Sequence, residues 1–227
     1  MKAPPVILAV GAVDESCITG TAGVHVRWSE LGSSAPGTGR TFRAVFGRPD
    51  ETFRRLDRVS RALVLASTAA GLDGLLSPEA RAGCALVVET CLGCLDSDLR
   101  FAQSLGTGMC DGPVFPYTLP STCLGEIALR HGLRGPSVCL SIAPEASGLA
   151  LAEARNLLAA GDAEHALACT VDVLERMAPD TPATCRAVVA LLARARADLA
   201  PVAPWPGPGA DPWSRLTATL QHRTRTT

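Results

Sequence analysis

Short unbroken apolar runs recur along this chain, separated by stretches in which apolar residues return at every third or fourth position. Pro5–Gly11 (PVILAVG), Gly83–Thr90 (GCALVVET), Pro136–Ile142 (PSVCLSI) and His165–Val173 (HALACTVDV) are too short for helices and rich in β-branched residues. Each therefore reads as a strand buried on both faces. Arg186–Ala193 (RAVVALLA) is a further run of this kind. A strand is its first reading, and a helix through Ala197 is the alternative, because Ala, Leu and Arg favour helix.

Between these runs the period changes. In LDRVSRALVLASTAAGL, Leu56, Val59, Leu63, Ala66 and Ala70 fall on one helical face, and Gly71 or Gly74 is placed to end the helix. Leu95, Leu99, Ala102 and Leu105 form the face of a second helix, and Cys123–Gly135 reads as a short helix stopped at Gly132. Ala146–Ala160 is apolar on nearly every side, which predicts a buried helix. Asp14–Arg48 shows no period, Ser33–Gly39 reads as a flexible surface loop, and Asp111–Thr122 as a rigid, proline-punctuated one. Strands alternating with helices predict an α/β domain with a mixed sheet of about five strands and helices on both faces. The domain is expected to span residues 1–197. Residues 198–227, with five prolines from Pro201 to Pro212, read as a tail with little core of its own that Trp205, Trp213 and Leu216 would pin to a surface.

A length of 227 residues with 47% hydrophobic content suits one domain. A formal charge of -1 argues against a general nucleic-acid or membrane-surface role. Met1–Val10 is too short for a secretory signal or a membrane span, and nine scattered cysteines, mostly in apolar runs, fit reduced thiols. A cytoplasmic protein is expected. Cys91 and Cys94 form a C-x2-C pair without a second pair or a histidine pair at ligand spacing, so no metal is implied. Gly106-Thr107-Gly108 lacks the Gly-Lys-Ser/Thr of a phosphate loop, and no cofactor is implied. Arg40–Arg61 carries seven arginines against Asp50, Glu51 and Asp57, which reads as a solvated helix face or as a landing site for an acidic partner.

The stretch from Gly135 to Glu175 orders the rest: a strand, a sharp turn, a buried helix and a second strand in one run. Its turn, Ala143-Pro144-Glu145-Ala146-Ser147-Gly148, brings Glu145 to the start of a helix, where outward N–H groups stabilise a nucleophile or an anion. This stretch resembles the active-site region of β-ketoacyl synthases. Ala146-Ser147-Gly148-Leu149 and Gly161-Asp162-Ala163 match that family's pattern, and the position of the catalytic cysteine falls on Glu145. PVILAVGAV, Leu56–Leu72, Gly83–Leu105 and Phe115–Ser137 are similar, in family order, to its other elements. The resemblance covers roughly Pro5 to Ala195 and implies one thiolase-like half-domain.

The departures bear on function. No nucleophilic cysteine stands at the turn, and the second half, with its two catalytic histidines, has no counterpart in these residues. His25, His131, His165 and His222 are expected in a loop, a helix end, a strand edge and the tail. A carboxylate suits a helix N-terminus but is a poor acyl acceptor, so Glu145 is expected to be a structural substitute satisfied by backbone N–H groups, Ser147 or a basic residue. Cys139 and Cys123 are alternative nucleophiles, with buried structural thiols as the plainer reading of both.

The resemblance implies a chain-length-factor-like subunit, inactive alone, that partners an active ketosynthase in fatty-acid-like, polyene or polyketide biosynthesis, with Pro136–Ile142 as the seam between subunits. Tunnel or partner contacts are expected from Phe101, Leu105, Tyr117 and Leu119, for which core packing is an equal alternative. Two other readings stay open: an acyl-thioester hydrolase or decarboxylase with Glu145 as base, and a self-dimer that binds an acyl carrier protein or an acyl chain.

Overall fold

The computed structural model describes residues 4–31, 39–175, 183–196, 198–206 and 211–224. Among these residues seven strands form one sheet: β1 (Val6–Val13), β2 (Cys17–Gly20), β3 (Val24–Arg27), β4 (Ala85–Thr90), β5 (Ser137–Ser141), β6 (His165–Leu174) and β7 (Thr184–Ala193). Their order is β3-β2-β1-β7-β6-β4-β5. β4 pairs in parallel with both β5 and β6, while β7 is antiparallel to β6 and to β1, so the sheet is mixed. All five strands read from the sequence are present, and Arg186–Ala193 resolves as strand. The two further strands make a hairpin on β1, whose four-residue arms are too short to stand out by composition.

Among the described residues eight α-helices accompany the sheet: α1 (Gly39–Phe46), α2 (Arg58–Ala70), α3 (Leu72–Leu75), α4 (Pro78–Ala82), α5 (Leu95–Gly106), α6 (Thr122–His131), α7 (Leu149–Ala160) and α8 (Pro212–Thr224). Residues Ser33–Thr38 of the expected loop lie outside the described residues. α2 starts on an Asp57 cap, whose carboxylate accepts from Ser60 N–H at 2.9 Å, and ends on Gly71 at φ 82°. It lies directly on β1 and β2, because Gly11 and Gly20 have no side chains: a Cβ there would come within 2.0 Å of the Ala66 carbonyl oxygen and 2.1 Å of the Ala69 one.

Two apolar layers result. On one face α2 and α6 pack Leu63, Val64, Leu65 and Ile127 against Leu86, Val88, Leu167 and Val189. On the other, α7 brings Ala150, Leu151, Ala154 and Leu158, and α8 brings Trp213, Leu216 and Leu220, against Val10, Val87, Ala168 and Val188. The segment expected to be a tail thus ends in a helix that covers the second face of the sheet. Trp213, Leu216 and Leu220 share one side of that helix, and their burial outweighs the weak local signal of the prolines before it. α7 is one-sided rather than buried all round: Arg155 and Asn156 face solvent.

α5 reverses expectation more sharply. It buries Asp96 and Ser97, while Leu95 and Leu105 are exposed. Asp96 accepts from Arg58 at 3.1 Å and from Glu175 N–H at 2.9 Å, and Ser97 donates to Asp57 at 3.3 Å, so polar anchoring rather than apolar burial sets the rotation of this helix. Among the described residues no helix is long and apolar enough to cross a membrane.

If α8 belongs to the core, Leu216→Ala should destabilise the fold by about 2–5 kcal/mol, as truncation of a buried leucine does. Chemical denaturation monitored by circular dichroism measures this, and a loss below about 0.5 kcal/mol would place α8 outside the cooperative unit.

Candidate functional site

The turn that follows β5 lies at the rim where β4, β5 and β6 end and α7 begins. Pro144–Ala146 make one turn of 3-10 helix, closed by Ala146 N–H donating to the Ala143 carbonyl at 2.9 Å. Gly148 then caps α7 at φ 100°, a conformation open to glycine, and a Cβ there would lie 2.6 Å from Pro212. Glu145 sits three residues before this cap, exposed, and its side chain has no hydrogen bond or ion pair among the described residues. The expectation that backbone N–H groups, Ser147 or a basic residue would satisfy it does not match the geometry. As an exposed carboxylate it is solvated and needs no partner.

Those backbone donors serve a different carboxylate. Glu89, the penultimate residue of β4, is fully buried. Its Oε1 accepts from Gly148 N–H at 2.9 Å and from the Trp213 indole N–H at 2.6 Å, and its Oε2 from Ala150 N–H at 2.6 Å. No cation pairs with it among the described residues. The charge rests on three N–H dipoles and on the positive end of α7. Sequence reasoning passed over Glu89, although a single acid at the end of the apolar run ALVVET is itself a signal, since buried acids are rare unless held.

Outside this core a second acid fastens the same elements. Asp211 accepts from the Ser147 hydroxyl at 3.1 Å, Trp213 N–H at 3.1 Å and the Ser214 hydroxyl at 2.7 Å, and pairs with Arg186. Burial opposes its charge, but Ser214, Arg186 and Ser147 outweigh that and hold its carboxyl below the ordinary range. So Ser147 and Gly148, which belong to the family-like motif, fix the turn to α8 and to Glu89. Neither is left free to act on a substrate.

The alternative nucleophiles are quiet. Burial raises the Cys139 thiol, and it raises the Cys123 thiol strongly, where Sγ donates to the Pro120 carbonyl at 3.2 Å. Cys94 is pushed up to about 11 by burial and by Asp98. Among the described residues no three His, Cys, Asp or Glu side chains converge to hold a metal. His25 lies on β3 rather than in a loop. His131, at the end of α6, is held at 2.9 Å from the Ser67 hydroxyl and 2.8 Å from Asp73. Both His131 and Ser67 are sealed from solvent, so this Ser–His–Asp line braces α2, α3 and α6 instead of meeting a substrate.

Phe101, Leu105, Tyr117 and Leu119 do gather in one region, around the end of α5 and the loop after it. Phe101 meets Phe115 with ring centres 5.5 Å apart, Leu105 and Leu119 are exposed, and Tyr117 donates to Glu126 at 3.1 Å. Burial, with Glu126 beside it, pushes the Tyr117 hydroxyl up to about 12. With Met109 and Phe115, also exposed, they make an apolar surface and not a core. Beside it Arg54, Arg55, Arg58, Arg61 and Arg100 line a cleft of about 330 Å³ with Asp57, Asp111 and Tyr117. Arg58 is committed to Asp96 and Glu175, and Arg61 to the Phe53 and Arg54 carbonyls.

The two sheet edges differ. β3 carries His25 and the charged Arg27 outward, and that charge discourages pairing, while β5 (SVCLS) has none. Pro136 C=O and Ile142 N–H bond β4, so the alternation of a parallel ladder directs the N–H and C=O of Ser137, Cys139 and Ser141 to the open edge.

The family model for the N-terminal domain of β-ketoacyl synthases matches residues 21–192. No curated protein matches the chain. Among solved structures, the ishigamide ketosynthase/chain length factor is similar over 88% of this chain and 65% of its own, with 22% identity and a TM-score of 0.66. A ketosynthase (ApeO) in complex with its chain length factor (ApeC) from Xenorhabdus doucetiae is similar over 86% of this chain and 81% of its own, with 19% identity and a TM-score of 0.54. A type II PKS acyl-carrier protein in complex with its ketosynthase (AntDE:AntF) is similar over 86% and 64%, with 18% identity and a TM-score of 0.54. The chain therefore spans just under two thirds of the first of these and about the same share of the third.

Asp211 yields a signed pH dependence. Its lowered carboxyl stabilises the fold above the ordinary aspartate range, and that contribution is lost as the pH falls through the folded-state value. Asp211→Asn keeps a capping oxygen without the charge. At pH 7 wild type should be the more stable, with the difference closing below about pH 4. Urea midpoints of both proteins from pH 7 to pH 3 measure it; a gap that widens in acid would contradict the assignment.

Proposed function

The chain belongs to the β-ketoacyl synthase family through its N-terminal domain, and on that premise we propose that it is a non-catalytic, chain-length-factor-like subunit that pairs with an active ketosynthase in fatty-acid-like, polyene or polyketide biosynthesis. The observation that carries this reading is the open β5 edge: three residues with outward backbone groups, no charge to repel a second strand, and the Glu145 turn directly after it. Exposed Leu95, Leu105, Met109, Phe115 and Leu119, with Leu129 on α6, give a partner apolar area to cover.

The turn supports a non-catalytic reading. Acyl transfer needs a thiolate or similar nucleophile and donors left free for a developing oxyanion. Glu145 supplies no such nucleophile, and the N–H groups of Gly148 and Ala150 are engaged by Glu89. The same engagement disfavours the hydrolase reading, in which Glu145 would be the base and those donors would have to serve the substrate.

A second role is favoured by the arginine-lined cleft. Arg55 and Arg100 border it with no partner among the described residues, which suits an acidic protein such as an acyl carrier protein.

Cys139→Pro removes an N–H that points away from β4, so the sheet should survive while pairing through the edge fails. Co-expressed with a ketosynthase encoded beside it, the wild-type chain should elute as a heterodimer, and the variant should bind at least about 10-fold more weakly. A monomer indifferent to that partner, or a self-dimer that excludes it, would defeat the proposal. Separately, Arg55→Glu with Arg100→Glu should abolish salt-sensitive binding of an acyl carrier protein in titration calorimetry and leave the heterodimer intact; binding unchanged by the double substitution would remove the cleft from the account.

A further inference from the structure

We propose that the N-terminus of α7 is a carboxylate-binding site that the chain occupies from within, and that truncating Glu89 to alanine converts it into a pocket for an external acetate ion. This inference rests on the geometry around Glu89 and not on the partner proposed above. The three donors come from two helices that approach from different directions: Gly148 and Ala150 N–H from α7, and the indole N–H of Trp213 from α8. Convergence of an indole with two backbone amides on both oxygens of one carboxylate, with no guanidinium or ammonium involved, makes a site selective for a small planar anion.

The donors are held independently of Glu89. Gly148 is locked by its positive φ and by Pro212 against it. Trp213 is fixed by Asp211, which accepts its backbone N–H at 3.1 Å, and by Thr217, whose hydroxyl donates to its carbonyl at 2.6 Å. Beside Glu89 in the ladder stand Leu140 on β5 and Thr170 on β6, and Val87 and Ala150 are buried in the apolar layer on this side of the sheet. A pocket so framed keeps its shape when one side chain is shortened, as buried cavities do.

Size fixes the ligand. Glutamate shortened to alanine loses one methylene and the carboxylate, which together are the heavy-atom skeleton of acetate. Formate leaves the methylene space empty, propionate exceeds it, and acetamide matches the shape but brings an amide NH2 to N–H donors. In the intact chain the site is full, so the groups that would stabilise a negative oxygen on a substrate are already spent.

Thermal unfolding of purified Glu89→Ala at fixed ionic strength tests this. The variant should melt well below wild type, and acetate should raise its midpoint saturably, with half-saturation on the order of 1–10 mM for so small a ligand. Formate should act more weakly, and acetamide and chloride not at all. Wild type should not respond to acetate beyond the effect of ionic strength. A variant indifferent to acetate, one that responds equally to acetamide, or a wild type that responds like the variant would each overturn the proposal. Should Glu89→Ala be unfolded when purified, its refolding yield from urea with and without 100 mM acetate (a concentration about 10-fold or more above the expected half-saturation) becomes the readout: recovery with acetate supports the site, and equal yields refute it.

Discussion

One buried carboxylate joins parts of this fold that lie far apart in sequence. Glu89 stands on an interior strand, and its three bonds reach the start of α7, about 60 residues on, and the indole of α8, with a sequence separation of 124. Burying an unpaired carboxylate would cost several kcal/mol, so the position of both helices is constrained by the need to present N–H groups to it. The Asp211 cluster repeats the logic nearer to solvent, tying the same turn and the same helix to β7 through Arg186. Apolar packing presses α7 and α8 on to the sheet; these two acids decide where along the sheet they stop.

That closure determines which surfaces remain for other molecules. Both faces of the sheet are covered by the chain's own helices. What stays open is a charge-free strand edge, an apolar surface made by the reversed α5 and the loop after it, and a cleft of arginines. Of these, the strand edge runs directly into the turn that follows β5.

Much of this was legible in the sequence, for identifiable reasons. The five apolar runs are unbroken, short and mostly rich in β-branched residues, which located β1, β4, β5, β6 and β7, although β5, at the sheet edge, is not buried as expected. β2 and β3 escaped because four residues carry too little signal, though Val24 and Val26 alternating with His25 and Arg27 is a strand pattern in hindsight. α8 was hidden by the prolines before it, and only the spacing of Trp213, Leu216 and Leu220 marked it. The rotation of α5 was not readable locally, since it depends on Arg58 and on the Glu175 backbone meeting Asp96. For the same reason the turn was found but its occupant misjudged. Glu145 is adjacent in sequence to the helix it was expected to cap, whereas the carboxylate that reaches the helix comes from another strand.

The place of β7 has a consequence for how the molecule is made. It lies between β1 and β6, yet it is the last of the seven described strands in sequence, and it pairs Ala187 with Val13 of the first. Until it emerges, the β1–β3 hairpin sheet and the parallel β4–β6 unit have no shared ladder. Each must wait with one long apolar edge unpaired. Contacts so distant in sequence fold slowly and expose aggregation-prone edges meanwhile. A chain stopped after β6 but before Thr184 would hold both strand groups without the ladder that joins them, so the sheet closes only once β7 has been made.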